Sequence, residues 1–228
     1  MIAAIHQPHY LPWPGFMDKM DQADVFIYLD TVDYKRNEWQ NRNRIRTAWG
    51  WQWLTVPVVH NAGDKIRDIR IDGGRWQRKH LQAFMNHYRG APFFGRCMPL
   101  LKERLYDRDW GCLADLNIAT SELFREMMGI TTRTLRASEL DAREEPTLRL
   151  IDLCKAAGAD TYLSGSCGRD YMKTEYFDEA GIRLIFQEFS PPVYTQAYEG
   201  FIPGLSTIDH LMNTGDGLLA LLREGRNG

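Results

Sequence analysis

Ile5-His6-Gln7-Pro8-His9-Tyr10-Leu11-Pro12-Trp13-Pro14-Gly15-Phe16 joins an apolar, strand-like run to a helix-like one. Residues 2–6 predict a short buried strand, and residues 14–22 predict a helix with proline near its start. Residues 23–30 predict a second buried strand that ends in the carboxylate of Asp30. A strand, a helix and a strand within about 30 residues are typical of a parallel βαβ unit. This stretch therefore indicates an α/β fold.

The loop between the first strand and the helix has the composition of a site. Imidazoles and an indole N–H need partners when they are buried, which makes them poor core material. Ligands of parallel sheets bind at the carboxyl ends of the strands, where this loop and Asp30 both lie. His6 is suited to act as a general base, an acid or a phosphate ligand, and Gly15 lets an anion approach the helix amides. We predict catalytic roles for His6 and Asp30, and cofactor contacts for Gln7, His9, Tyr10, Trp13 and Gly15.

Cations, amides and an indole are interleaved just after Asp30. Arginine gives two-point contact to a phosphate or carboxylate, and a tryptophan face covers a ring. The predicted substrate-binding residues are Lys35, Arg36, Asn37, Trp39, Gln40, Asn41 and Arg42. Residues 31–72 as a whole predict a β-rich insertion beside the sheet.

A third candidate segment, Ser164 to Tyr171, follows a short predicted strand at 160–163. Its small residues let backbone N–H groups converge on an anion, which Arg169 would face. The segment has neither the P-loop pattern nor the G-x-S-x-G elbow, and Cys167 is an alternative nucleophile. We predict a catalytic role for Arg169 and cofactor contacts for Ser164, Gly165, Ser166, Gly168 and Asp170.

The remaining pattern predicts one α/β domain with a mainly parallel, Rossmann-like sheet flanked by helices. Ser206 is predicted to cap a late helix, with Asp209 three positions on. The four cysteines lack the C-x-x-C spacing of metal or redox sites, so buried free thiols and no metal site are predicted. Helical patterns occupy 76–128, 146–157, 205–212 and 217–222, and strand patterns occupy 130–135, 160–163 and 182–186.

Net charge and hydrophobicity indicate which kinds of ligand and partner to expect. A formal net charge of -2 over 228 residues gives no reason to expect nucleic acid as a ligand, although Arg75, Arg78 and Lys79 form a local basic segment. No apolar run approaches the roughly 20 residues of a membrane span, and no basic n-region opens the chain. We expect a cytoplasmic protein with a small-molecule substrate, and the sequence leaves the oligomeric state open.

Five motifs are spread over nearly the whole chain. They are His6-Gln7-Pro8-His9-Tyr10-Leu11-Pro12-Trp13-x-Gly15, Trp39-Gln40-Asn41-Arg42-Asn43-Arg44-Ile45, Trp53-Leu54-Thr55-Val56-Pro57-Val58, Tyr162-Leu163-Ser164-Gly165 with Gly168-Arg169-Asp170-Tyr171, and Leu205-Ser206-x-Ile208-Asp209. Together they resemble the WbqC-like protein family. The resemblance implies biosynthesis of a surface polysaccharide such as O-antigen, with acyl or aminoacyl (for example glycyl) transfer to an amino sugar. We expect this amino sugar to be nucleotide-linked, and the reaction needs an activated donor, so ATP or an acyl thioester is implied.

A fainter resemblance links the first βαβ unit to the nucleotidylyltransferase superfamily, which includes pantothenate synthetase. Trp13-Pro14-Gly15-Phe16 stands where that superfamily has H-x-G-H, so aromatic residues occupy both histidine positions. Two alternative functions therefore stay open. One is nucleotidyl or adenylyl transfer from ATP, and the other is a non-catalytic sugar-nucleotide-binding subunit of a glycan-assembly complex.

Overall fold

A computed structural model describes residues 1–170, 172–215 and 217–226. The strands are β1 (Ile2–His6), β2 (Val25–Tyr28), β3 (Arg42–Thr47), β4 (Gly50–Thr55), β5 (Val58–Val59), β6 (Arg70–Ile71), β7 (Arg133–Arg136), β8 (Thr161–Ser164) and β9 (Arg183–Phe186). The helices are α1 (Pro14–Asp21), α2 (Arg75–Tyr88), α3 (Phe94–Leu101), α4 (Leu113–Met128), α5 (Pro146–Ala156), α6 (Glu175–Glu179), α7 (Thr207–Thr214) and α8 (Gly217–Glu224). A π-helical turn (Lys102–Tyr106) follows α3, and 3-10 turns cover Ile66–Asp68, Ala137–Glu139 and Ser166–Asp170.

A parallel sheet of five strands in the order β7-β2-β1-β8-β9 organises the chain. The strands run outward from β1 to β7 on one side and then continue from β8 to β9 on the other. This reversal makes the boundary between β1 and β8 the topological switch point, where α/β proteins bind ligands. The predicted α/β class with a mainly parallel, Rossmann-like sheet is confirmed.

The two strands at the switch point separate before they end. β1 pairs with β2 as far as His6 opposite Tyr28, but with β8 only as far as Ala4 opposite Leu163. The last two residues of β1 therefore have no partner strand on the β8 side. A gap opens at the carboxyl edge of the sheet.

The central strands β1 and β2 are mainly apolar because both faces of the sheet are covered there. Ala4 and Phe26 belong to a hydrophobic cluster that includes residues of α1, α2 and α4. Ala3 and Ile5, which alternate with Ala4 along β1, belong to a second cluster with α5. Alternation along one strand thus anchors helices on opposite faces and fixes the position of β1 in the centre.

The predicted insertion at 31–72 consists of two antiparallel pairs, the β3–β4 hairpin and the short β5–β6 ladder. Within the alternating segment 66–71, Ile66–Asp68 forms a 3-10 turn and only Arg70–Ile71 is a strand. Ile66 and Ile69 are both fully buried, and a spacing of three suits one face of a 3-10 turn better than a strand.

Helix predictions were correct in type and differed at the ends. Trp76, His80, Phe84 and Tyr88 form the buried stripe of α2 at four-residue spacing. Ser206 caps α7 as predicted, accepting the backbone N–H of Ile208 at 3.3 Å. Among the described residues, no helix combines the length and apolarity needed to cross a membrane.

Candidate functional site

A cavity of about 250 Å³ lies at the switch point, in the gap between β1 and β8. A more open cavity of about 530 Å³ adjoins it and shares three of its lining residues. The inner cavity is lined by Ile5, His6, Gln7, Lys19, Leu29, Leu150, Tyr162, Ser164, Gly165 and Gly168. The outer one adds Val32, Asp33, Lys35, Lys65, Glu144, Pro146 and Arg149. The inner volume suits a compact group such as one sugar ring or a phosphate with its neighbours.

His6 ends β1 and reaches this cavity with a defined tautomer. Its Nδ1 donates a hydrogen bond to the carbonyl oxygen of Gln7 at 2.9 Å, so a neutral ring carries its proton on Nδ1. Burial, together with the nearby His9 and Lys19, holds the pKa of His6 well below its usual value near 6.5. At neutral pH the ring is therefore uncharged, and Nε2 holds a lone pair that can accept a proton.

His9 packs against the His6 ring. The two imidazole centroids lie 4.7 Å apart in an edge-to-face arrangement, and Phe16 packs against both rings. Burial lowers the pKa of His9 to about 4. Its Nδ1 is buried without a hydrogen-bond partner among the described residues, and the ring does not line the cavity. His9 thus fixes the position of His6.

Lys19 enters the cavity from α1 and was missed by the sequence analysis. Its ammonium donates to the carbonyl oxygen of Ile5 at 2.8 Å, the part of β1 that β8 leaves unpaired. The residue is 2% exposed, and burial lowers its pKa to about 7. Its spacing could have predicted its burial, because Lys19 follows Phe16 by three residues and so lies on the same inward face of the helix.

Gln7 is oriented by a relay of amide groups. The backbone N–H of Lys35 donates to Gln40 Oε1 at 2.8 Å, and Gln40 Nε2 donates to Gln7 Oε1 at 2.6 Å. This sequence of donors leaves the Gln7 NH₂ group as a donor at the border between the two cavities. Two predicted substrate-binding residues thus act on the site through Gln7.

The amide-rich segment after β2 holds the opening loop in place. Asn43 donates to the carbonyl oxygens of Tyr10 and Leu11 at 3.3 and 2.7 Å. Asn117 of α4 donates to the carbonyl oxygens of Pro8 and Gln40 at 3.0 and 2.7 Å. Buried amides that satisfy loop carbonyls explain why this segment needs its asparagines, and they give it a structural role.

The turn after β8 closes the inner cavity. Ser164 is buried and donates its Oγ hydrogen to the carbonyl oxygen of Gly165 at 3.1 Å. A Cβ on Gly168 would lie 2.2 Å from Ser164 Oγ, so only glycine allows this close approach. Ser164, Gly165 and Gly168 therefore reach the cavity as predicted neighbours of His6. Ser166 is exposed and does not line it.

Several predicted catalytic and cofactor residues lie elsewhere. Both carboxylate oxygens of Asp30 accept from Ser138, through its N–H at 2.9 Å and its hydroxyl at 2.6 Å, next to the end of β7. Tyr10 is fully buried, and its hydroxyl shares hydrogen bonds with His80 Nδ1 at 2.8 Å and with the Tyr106 hydroxyl at 2.7 Å. The hydrogen bonds of Asp30 and Tyr10 therefore stabilise the fold, and neither side chain lines the inner cavity.

The aromatic end of the opening loop faces away from the cavity. Trp13 packs edge-to-face on Phe189 at 5.1 Å and covers Gly15, where a Cβ would lie 2.4 Å from the indole. Gly15 therefore admits a tryptophan ring rather than an anion. Trp13 lines a separate apolar cavity of about 10 Å³, which is too small for a ligand.

Two of the three predicted arginines, Arg169 and Arg42, are stacked on aromatic rings. Arg169 is exposed and its guanidinium lies 4.5 Å from the Phe186 ring centroid. Arg42 lies 4.3 Å from the Trp53 ring, which also packs against Trp39. Arg36 and Asn37 are exposed, Asn41 donates to the carbonyl oxygen of Val56 at 2.9 Å, and the side chain of Asp170 lies outside the described part of the chain.

The fold defines a Rossmann-like α/β protein with a cavity at its topological switch point. The chain belongs to the WbqC-like protein family, whose model matches residues 7–219. It is 34% identical over 215 residues to a protein of Mycobacterium tuberculosis (strain ATCC 25618 / H37Rv) named uncharacterized protein Rv1507c, with 93% of each chain covered. No solved structure matches the chain.

Proposed function

We propose that this protein is a transferase of surface-polysaccharide biosynthesis that moves an acyl or aminoacyl group to the amine of a nucleotide-linked amino sugar. The observation that carries the proposal is His6, whose neutral ring presents Nε2 in a cavity at the switch point. A base with a lowered pKa stays unprotonated at pH 7 and accepts a proton when the amine attacks.

The proposed step is acyl transfer with His6 as general base. The acceptor nitrogen attacks the carbonyl carbon of an acyl thioester or acyl phosphate, and a C–N bond forms while His6 Nε2 takes a proton from that nitrogen. The bond from the carbonyl carbon to the leaving sulfur or oxygen then breaks, and the electron pair stays with the leaving group. The imidazolium returns its proton to the leaving group, so the enzyme ends in its starting state.

The outer cavity is the proposed site of the nucleotide part. Lys35 and Arg149 line its mouth, and Lys65 is held in a salt bridge to Asp33 at 2.7 Å. Arg149 already donates to the carbonyl oxygens of Arg143 and Glu144 at 3.3 and 2.6 Å, which holds its guanidinium in place. Cations at the mouth favour a diphosphate there, with the transferred group directed inward to His6.

Nucleotidyl or adenylyl transfer is the second candidate, because mononucleotides bind at the same switch point in other α/β proteins. Release of pyrophosphate from ATP by the purified protein would select it. A third candidate, a binding subunit without turnover, is separated from both enzymes by the variant below.

The test begins with thermal shift measurements against UDP- and dTDP-linked amino sugars, ATP and acyl-CoA, since a ligand that binds only the folded state raises the melting temperature. With the ligands found, His6→Ala is expected to lower kcat about 100- to 10,000-fold and to leave the ligand Kd within several-fold. His87→Ala, at a half-buried position of α2 outside the lining of the inner cavity, is the matched control. No stabilisation by any nucleotide would sink the transferase proposal, and an effect of His6→Ala on affinity alone would favour the binding subunit.

A further inference from the structure

We propose that the Lys19 ammonium binds an anionic phosphate-type oxygen group of the ligand in the inner cavity, and that a proton is taken up with it. The inference deepens the proposed function, on which it rests, because it names the residue that holds the anionic part of the substrate. It also replaces Arg169, which the sequence analysis had predicted for that role and which lies on Phe186.

The shape of the sheet edge places Lys19 where a ligand must pass. β1 and β8 separate beyond Ala4 and Leu163, and the Lys19 side chain fills the top of that gap. One of its three N–H donors reaches the carbonyl oxygen of Ile5. The ammonium lines the cavity that His6 also lines, so its remaining donors are available to a bound oxyanion.

The part of the chain that the structure describes offers the Lys19 ammonium no carboxylate partner. Within the described ranges no salt bridge involves Lys19, although buried lysines are normally paired. The two aspartates of α1, Asp18 and Asp21, both form salt bridges with Arg226, which follows α8 in the chain. A buried cation without a carboxylate partner favours the binding of an anion in the cavity. The lysine is already removed from water in the free protein, so ligand binding does not have to desolvate it.

Lys19 stands out among the cations around the cleft. Lys35, Lys65 and Arg149 lie at the outer cavity. Of the residues that the structure describes, Lys19 is the one lysine or arginine that lines the inner cavity. A phosphate bound beside Ser164 and Gly168 would therefore meet the Lys19 ammonium and the Gln7 NH₂ group.

The same burial couples anion binding to protonation. The titratable groups that face Lys19 are His6 on β1, Tyr162 on β8 and Cys154 on α5, and burial raises the pKa of the Cys154 thiol to about 12. Lys19 is thus surrounded by neutral groups, and its own pKa of about 7 leaves it partly protonated at neutral pH. A bound oxyanion favours the ammonium, so binding near neutral pH takes up part of a proton.

The test measures Lys19 directly by NMR on protein labelled with ¹³C at the lysine Cε, with the signal assigned from Lys19→Arg. Sulfate is the probe because it does not titrate between pH 6 and 9, and chloride keeps the ionic strength constant. The Lys19 pKa is expected near 7 without sulfate and at least about one unit higher with it. The sulfate affinity of the wild type is expected to fall as the pH rises from the free pKa to the pKa of the bound state, by at most about tenfold per pH unit.

Three variants separate charge from proton uptake. Lys19→Arg is expected to bind sulfate with an affinity that does not change between pH 7 and 9, because arginine stays protonated. Lys19→Met is expected to bind at least about tenfold more weakly. Lys155→Met, an exposed lysine of α5, is expected to match the wild type.

A wild-type protein that does not bind sulfate, or that binds it with a pH-independent affinity, would overturn the proposal. Equal affinity in Lys19→Met would do the same, and preference for acetate over sulfate would overturn the assignment to phosphate. The wild-type titration decides even if a variant fails to fold. These results are independent of turnover: a protein that transfers acyl groups but shows no Lys19 response would keep the proposed function and lose this inference.

Discussion

Gly168→Ala perturbs the turn that closes the inner cavity at a single point. The added Cβ would lie 2.2 Å from Ser164 Oγ, 2.7 Å from Met172 Cε and 3.4 Å from Ser164 Cβ. The Met172 methyl ends a flexible chain and can move. Ser164 is buried at the end of β8 and cannot move without losing its bond to the Gly165 carbonyl. The serine must change rotamer or the turn must shift.

The expected cost follows from these contacts. Overpacking a buried position typically costs about 1–3 kcal/mol, and loss of the serine hydrogen bond lies within the same range. We expect the free energy of unfolding to fall by about 2 kcal/mol, which for a chain of this length lowers Tm by roughly 4–8 °C. Ligand affinity should fall as well, because Ser164 and Gly168 both line the cavity.

Urea unfolding followed by circular dichroism measures the effect, and the turn provides its own control. A Cβ on Gly165 meets nothing within 4 Å, so Gly165→Ala should change stability by less than about 0.5 kcal/mol. Adding Ser164→Ala to Gly168→Ala removes the closest contact and should recover about 1 kcal/mol beyond additivity. Equal stability of Gly168→Ala and Gly165→Ala would refute the packing assigned to this turn.

Three further predictions concern the loop, the core and the surface. Asn117→Ala removes the two buried hydrogen bonds to Pro8 and Gln40, and it is expected to lower the free energy of unfolding in urea by about 2–3 kcal/mol and to weaken ligand binding. Gln82→Ala, at an exposed position of α2, is expected to change neither. An Asn117→Ala protein with unchanged stability would argue against a role of Asn117 in holding the loop. Burial lowers the pKa of His80 to about 4, below its unfolded value near 6.5, so the stability that it contributes is complete above pH 6.5 and is lost as the pH falls through that window. His80→Asn keeps an acceptor for Tyr10 and should reduce the loss of stability by about 1 kcal/mol per pH unit between pH 6 and 4, and identical slopes would argue against a buried neutral His80. Trp49 at the hairpin tip is 91% exposed, so Trp49→Ala should leave the free energy of unfolding within about 0.5 kcal/mol, and a larger loss would mean that the tip is covered in solution.

The sheet was predictable because its signals are local. Short, mainly apolar runs of five and four residues mark β1 and β2, and proline near its start marks α1, without reference to the rest of the chain. The rule that ligands bind at the carboxyl ends then placed His6, Gln7 and the Ser164 turn at one edge. The order of the strands brings them together, and the sequence alone does not contain that order.

Side-chain roles were harder to predict because an amide or carboxylate serves a loop as readily as a ligand. Asn43 and Gln40 have the residue types of a sugar site, yet they hold the opening loop. Asp30 stands at a strand end, as a catalytic carboxylate would, yet both its oxygens bind Ser138. Lys19 was not predicted, because a lysine in an amphipathic helix is expected at the surface and not in a buried site.

A crystal structure of the protein with the nucleotide ligand that stabilises it most would test the central claim, that the cleft at the ends of β1 and β8 is the functional site. We predict ligand density in the inner and outer cavities, with a reacting atom within about 3.5 Å of His6 Nε2 and an anionic oxygen on Lys19 Nζ. Density elsewhere, for example in the basic groove of α2 lined by Arg75, Arg78 and Lys79, with the switch-point cavity empty, would contradict it.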